Sequence, residues 1–306
     1  MKIPDYQTLM KPALMATADG ADHTLRSLIE AMATTFALSP EDAAALLPSG
    51  RQTIIANRVG WAITHLHKCL LLERTARATY RITDRGREVL AENPERVDLR
   101  YLSRFPELAK FLNSSSESSG VDASSAVAAA TATTTTPDER IDAALREIED
   151  ALRQTIIERI MSASPVFFER LVLDLLVAMG YGEPEGSRHL GAPGDGGVDG
   201  VINLDRLGLD KVYVQAKRYA EGNRVSRPDI QSFFGALEMY GTTRGVFVTT
   251  SSFSTEARNF ASGVKSKNIV LIDGEQLAGL LIAHNVAVRS DRQIVVKKLD
   301  EDYFED

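Results

Sequence analysis

Residues 113–137 read NSSSESSGVDASSAVAAATATTTTP, and no other stretch constrains the fold of this 306-residue chain as strongly. Eighteen of these 25 positions are Ser, Thr or Ala, and the only large aliphatics are two valines. Such a segment cannot bury enough apolar surface to offset the entropy of ordering it. It is expected to be a flexible linker spanning roughly 25–30 Å. Intrinsic propensity leaves an Ala-rich helix over 123–132 open as the alternative. Either way the chain is expected to fold as separate units, 1–112 and 138–306, in keeping with about 150 residues per domain. No internal repeat is visible.

Composition narrows the class further. Hydrophobic residues make up 44% and charged residues 25%, which is ordinary globular usage with room for two cores. The single cysteine, Cys69, excludes an intrachain disulfide framework and a Cys-rich zinc site, and it fits a reducing cytoplasm. No apolar leader follows Met1, and no run approaches the roughly 18 apolar residues of a membrane span. A cytoplasmic protein with no membrane partner is expected. The net charge of −7 excludes a basic field over the whole protein. Charge is nevertheless segregated: residues 51–90 hold eight basic and three acidic side chains, and 211–231 hold five and two. Residues 300–306 hold five acids and no base. The two basic segments are where a polyanion would bind.

In the N-terminal unit, Ser39-Pro40-Glu41-Asp42 reads as a capped helix start. The spacing of Val59, Ala62, Ile63, Leu66, Cys69 and Leu70 predicts a helix over 53–70 with one apolar side. Its other side carries Asn57, Trp61, Thr64 and Lys68, with His65 and His67 at the flanks. Trp61 can be read either as core or as a contact. Two short strands around a basic turn follow at 71–83, and Asp84 opens another helix. Helices, a polar-faced helix and a basic hairpin form the order of a winged helix-turn-helix. That reading puts the 53–70 helix in a DNA major groove and the hairpin on the backbone. The expected DNA contacts are Asn57, Arg58, Thr64, His65, Lys68, Arg74, Arg77 and Arg81, with Arg218 from the second basic segment. The competing reading is a small helical domain with a solvated charged face. The histidines have no metal-ligand spacing.

The C-terminal unit reads as a helix from Ser164-Pro165 to 179, strands at 198–203 and 212–217, a helix at 228–240, a strand at 245–250, a helix at 254–264, a strand at 269–272 and a helix at 275–284. This order gives an α/β fold with a mixed sheet covered on both faces. Along the 212–217 strand the side chains alternate, so Gln215 and Lys217 share one face. A hairpin connection can bring Asp199 beside them. Glu169 borders the apolar stripe of the first helix. Asp199 and Glu169 offer hard oxygens to Mg²⁺, and Gln215 adds a neutral carbonyl. Such a set suits phosphodiester hydrolysis, with Lys217 orienting water and stabilising developing charge. A salt-bridged Asp199–Lys217 strand pair and a plain Gly-Asp turn at 194–197 are the competing readings.

Taken together, FERLVLDLLVAMGY (168–181), GDGGVDGVI (194–202), VYVQAKRY (212–219) and RGVFVTTSSFSTEAR (244–258) resemble the catalytic domain of the Mrr family of restriction endonucleases, within the PD-(D/E)xK nuclease superfamily. The N-terminal unit is similar to the winged-helix domain such proteins carry. The resemblance implies a restriction-endonuclease-like αβββαβ core. It implies catalytic and metal roles for Glu169, Asp199 and Gln215, with Lys217 completing the motif. Gln215 stands where the motif usually has Glu, a variant that Mrr-like sequences share and one that removes an anionic ligand. Asp195 is a candidate extra ligand. The resemblance also implies restriction of double-stranded DNA methylated at adenine or cytosine. Duplex cleavage by one site per chain leads to the expectation of a homo-oligomer or of sequential nicking. Two other classes fit the same residues: a DNA-binding regulator whose nuclease-like domain only dimerises, and a repair or junction nuclease.

Overall fold

The computed structural model describes residues 3–113, 131–182, 187–189, 197–264 and 266–304. The expectations for a linker, for the alternative helix over 123–132 and for Asp195 fall wholly or mostly outside these residues. Two compact units are present, one formed by Met1–Arg146 with Lys298–Asp306 and the other by Glu147–Lys297.

The first unit begins with α1 (Tyr6–Ala16), capped by the Asp5 carboxylate on the Gln7 and Thr8 amides. The two-residue β1 (His23–Thr24) leads into α2 (Leu25–Thr35), capped by Thr24. A short α3 (Pro40–Ala44) starts at Ser39 as its sequence requires, and α4 (Ile54–Lys68) is capped by Thr53. Strands β2 (Leu72–Ala76) and β3 (Thr79–Ile82) form an antiparallel hairpin, and β1 adds to β3, giving the order β1-β3-β2. Helices α5 (Asp84–Ala91), α6 (Leu99–Leu102) and α7 (Pro106–Asn113) follow. The apolar side of α4 supplies Ile55, Val59, Ala62, Ile63 and Leu66, all nearly fully buried against Leu9, Met10, Leu14, Leu28 and Met32. Each such side chain contributes roughly 1.5–3 kcal/mol of burial. Helix α8 (Pro137–Ser162) runs for 26 residues, and its residues 137–146 belong to this unit.

The second unit places a five-stranded sheet between helices. Helix α9 (Pro165–Ala178), capped by Ser164, precedes β4 (Ser187–His189), β5 (Gly200–Asn203) and β6 (Lys211–Lys217). Then come α10 (Arg227–Met239), β7 (Arg244–Thr249), α11 (Thr255–Gly263), β8 (Asn268–Ile272) and α12 (Gly274–Ala283). The strand order is β4-β5-β6-β7-β8. The pairs β4/β5 and β5/β6 are antiparallel, while β6/β7 and β7/β8 are parallel. On one face Val212, Val214, Val246 and Val248 pack with α9 and α12 and with Ile156 and Ile160 of α8. On the other, Tyr213 and Phe247 pack with Ile230 and Phe233 of α10 and Ala257 of α11. The Phe233 and Phe247 rings meet edge to face at 5.5 Å, a geometry favoured by the ring quadrupoles. The mixed sheet covered on both faces is the architecture the sequence implies. Among the described residues, no helix is long and apolar enough to cross a membrane.

Candidate active site and nucleic-acid interface

Strands β5 and β6 pair with Gly200 opposite Val214 and Val201 opposite Tyr213. The ladder ends there, and Asp199 stands immediately before β5, beside the end of β6 that carries Gln215. Lys217, two residues on, shares the face of Gln215. The backbone N–H of Ala216 donates to Asp199 Oδ2 at 2.7 Å, and the Asp199 N–H donates to the Val214 carbonyl at 2.8 Å. The carboxylate therefore replaces a strand carbonyl where β5 begins, which fixes it beside β6.

Gln215 is 4% exposed, and its Oε1 is buried without a hydrogen-bond partner among the described residues. Leaving such an acceptor unsatisfied costs about 1–3 kcal/mol, so this atom is available to a cation or to water. Its amide is pressed from one side by Gly197, where φ is +86° and an added Cβ would lie 2.8 Å from Gln215 Nε2. The final glycine of GDGG thus has a local reason that the reading of a plain turn misses.

Glu169 stands on α9, which packs against Val212 and Val214. The Arg218 guanidinium donates to the carbonyls of Met161, at 3.1 Å, and Ala163. At the other end, a Cβ on Gly200 would meet Leu173 of α9 at 2.7 Å. Helix α9 is therefore anchored at Ala163 to the end of β6, and at Leu173 to Gly200, the partner of Val214. Glu169, on α9, is half-buried. Arg218, expected at DNA, is a tether that sets α9 against the sheet. Among the described residues, no group of three His, Cys, Asp or Glu side chains gathers as a metal cluster. The donor set is two carboxylates and an amide oxygen. A cavity of about 940 Å³ opens beyond the end of β6, lined by Asp150, Glu158, Glu221 and Glu275 against Arg153. That acid lining is ill suited to phosphate.

The expected DNA face of α4 is partly covered from within the first unit. Asn57 is 4% exposed. Its Nδ2 donates to Asp138 Oδ2 at 2.9 Å, and its Oδ1 accepts from Thr136 Oγ1 at 2.6 Å. Trp61 Nε1 donates to the same Asp138 oxygen at 2.8 Å. Arg58 Nε and Nη2 donate to Glu139 Oε1 at 2.9 and 2.6 Å, and Nη1 donates to the Ile3 carbonyl at 2.6 Å. Asn57, Arg58 and Trp61 thus clamp the start of α8. His65 is buried, its Nδ1 lies 2.7 Å from the Trp61 carbonyl, and its ring packs against Tyr6 and Phe111. Burial holds its pKa below the usual histidine value. Thr64 Oγ1 donates back to the Gly60 carbonyl at 2.8 Å.

Lys68 is exposed, with Nζ 5.6 Å over the Phe111 ring. Along the hairpin, Arg74 Nε donates to the Ala76 carbonyl at 3.2 Å, Arg81 pairs with Asp22 at 3.0 Å, and Arg77 pairs with Asp302. Lys68, Arg74 and Arg77 are exposed, and Arg81 is partly so.

Comparison with known proteins matches residues 160–281 to the family described as "Restriction endonuclease" and residues 6–92 to the "Mrr N-terminal domain". The chain is 38% identical over 312 residues to the "Type IV methyl-directed restriction enzyme EcoKMrr" of Escherichia coli (strain K12), covering 100% of each. Among solved structures, the "DNA modification-dependent restriction endonuclease AspBHI" shares 24% identity at a TM-score of 0.37, over 46% of this chain and 36% of its own. The "MspJI Restriction Endonuclease in Complex with 27-mer Oligonucleotide" shares 28% identity at 0.33, over 44% and 31%.

Proposed function

The chain belongs to the Mrr family of type IV, modification-dependent restriction endonucleases, and from that premise we propose that it hydrolyses phosphodiesters in methylated double-stranded DNA with Mg²⁺ held by Asp199, Gln215 and Glu169. The observation that carries the site is the junction of Asp199 and β6: a carboxylate fixed by the Ala216 amide, next along the chain from Gln215, whose buried amide oxygen has no hydrogen-bond partner among the described residues. Hard oxygens of this kind fit a divalent cation. When bound, such a cation supplies positive charge against the phosphate and acidifies water at neutral pH.

This chain's own residues do the remaining work. Asp199 and Glu169 bring the negative charge of the set. Lys217 orients the attacking water and holds the negative charge that builds on the phosphate oxygens. The water oxygen forms the new bond to phosphorus, the bond to the leaving sugar oxygen breaks, and the water proton ends on that oxygen. The hairpin cations Arg74, Arg77 and Arg81, with Lys68, take the duplex backbone, and Asn57, Arg58, His65 and Arg218 are left to the fold. Methylated DNA as the substrate is supported by the name of the 38%-identical relative. Two chains act together on a duplex, in the cytoplasm, which is also the setting the single buried Cys69 fits.

The test is digestion of supercoiled plasmid, carrying adenine or cytosine methylation, in Mg²⁺ and in EDTA. Cleavage confined to Mg²⁺ and lost in Asp199→Asn is the expected result. Cleavage that persists in EDTA or in the variant would move the chemistry to other residues, and DNA binding without cleavage under every condition would favour the regulator reading.

A further inference from the structure

The sequence sets five acids and no base in residues 300–306, and catalysis gives them no task. Residues 298–306 are grouped with the first unit, not with the nuclease unit that precedes them. A 3₁₀ turn covers Glu301–Phe304, and Asp302 forms an ion pair with Arg77 at the tip of the hairpin. Both partners are open to solvent, Arg77 at 52% and Asp302 at 75%. The local charges are opposite: Arg74, Arg77 and Arg81 lie on the hairpin, and Asp300, Glu301 and Asp302 run in succession.

We infer that the acidic segment 300–302 is a built-in competitor of DNA, lying on the hairpin as a stand-in for a phosphate strand until duplex DNA displaces it. The inference rests on the hairpin being a DNA contact, as proposed above. Geometry and energetics agree on a displaceable plug. The Asp302 carboxylate meets the Arg77 fork as a phosphate does, but exposed pairs are individually weak. Tethering keeps the segment at high effective concentration, so it lowers the fraction of protein whose hairpin is open, and apparent affinity falls by that fraction. A duplex, with a charge every ~1.7 Å, outcompetes it. Non-specific, poorly held DNA is penalised by the same factor as cognate DNA, so the plug raises the threshold for engagement without altering the chemistry of the site.

Neutralising the segment gives the test, because Asp300→Asn, Glu301→Gln and Asp302→Asn remove charge without removing side chains. Binding of a fluorescent duplex is measured without divalent metal at roughly 50 and 200 mM salt, for the parent, the triple variant, Arg77→Gln and the combination. The triple variant is expected to bind roughly 3- to 10-fold tighter at the lower salt, with the gain shrinking at the higher salt as screening weakens the plug. In the Arg77→Gln background the same neutralisation is expected to give at most half that gain on a logarithmic scale. Equal affinity of parent and triple variant at both salts, with weaker binding by Arg74→Gln/Arg77→Gln/Arg81→Gln, overturns the plug and keeps the hairpin as a DNA contact. Unchanged binding by the hairpin variant overturns both.

Discussion

Replacing Gly197 by Ala is expected to damage the active site more than the fold. At this position φ is +86°, and the new Cβ would lie 2.8 Å from Gln215 Nε2. A left-handed conformation costs an alanine about 1–2 kcal/mol, or a Tm drop of roughly 2–8 °C in a unit of this size. The amide must also retreat by several tenths of an ångström to reach an ordinary contact, and it carries the buried Oε1 assigned to the cation. Misplacement on the 1 Å scale costs on the order of 10²-fold in rate, so a 10- to 100-fold slower cleavage is expected (~10²-fold at the upper end). Gly222 supplies the control: its φ is also +86°, but an added Cβ there meets nothing within 4 Å. Gly222→Ala should show the strain without the catalytic loss. Cleavage is followed on supercoiled plasmid in Mg²⁺, and Tm by calorimetry. Parent-like cleavage by Gly197→Ala, or equal catalytic losses in the two variants, would refute the packing argument.

Four further outcomes are expected. Asp199→Ala and Lys217→Ala should each slow cleavage by on the order of 10²–10³ while duplex affinity, read by anisotropy, stays near the parent's. Asn57→Ala, which removes one of two hydrogen bonds to Asp138 and the acceptor of the buried Thr136 hydroxyl, should cost about 1–3 kcal/mol in urea unfolding of the first unit while leaving the salt dependence of DNA binding unchanged. His65 has a lowered pKa in the fold. As pH falls below its unfolded value of about 6.5, the unfolded chain gains a proton that the folded one refuses, and stability drops; His65→Gln should flatten the urea midpoint between about pH 7 and 5.5. If two chains cut together, linear product should appear directly, with a rate rising faster than first order in enzyme; nicked circles accumulating in simple proportion to enzyme would show one chain acting alone.

Four of the five strands of the nuclease unit were legible because their patterns are local, whereas the three-residue β4 (Ser187–His189) was not. Alternation along residues 212–217 puts Gln215 and Lys217 on one face, and the antiparallel connection brings Asp199 to the Ala216 amide. Capping also read through, as at Ser39 and Ser164. The missed features depend on distant neighbours. The polar side of α4 looks solvent-facing in sequence, but nothing local says that Thr136, Asp138 and Glu139, some 80 residues on, will cover Asn57 and Arg58. Helix α8 carries Ile141, Leu145, Ile148 and Leu152 at helical spacing within a strongly charged stretch, and all four stay exposed. Arg218 looks like a phosphate contact until the carbonyls of Met161 and Ala163 are seen beside it. That the Gln215 oxygen has no partner among the described residues, and that its amide leaves no room for a Cβ at Gly197, are products of packing that no residue pattern announces.

The central claim, a metal-dependent nuclease selective for methylated duplex, is tested most directly by competition in a single tube. Two end-labelled duplexes of identical sequence, one methylated and one not, are digested together in Mg²⁺ by the parent protein and by Asp199→Asn. The account predicts that the methylated duplex is consumed first, in Mg²⁺ only, and that the variant spares both. Equal consumption of the two duplexes, or their loss to the variant, would contradict it.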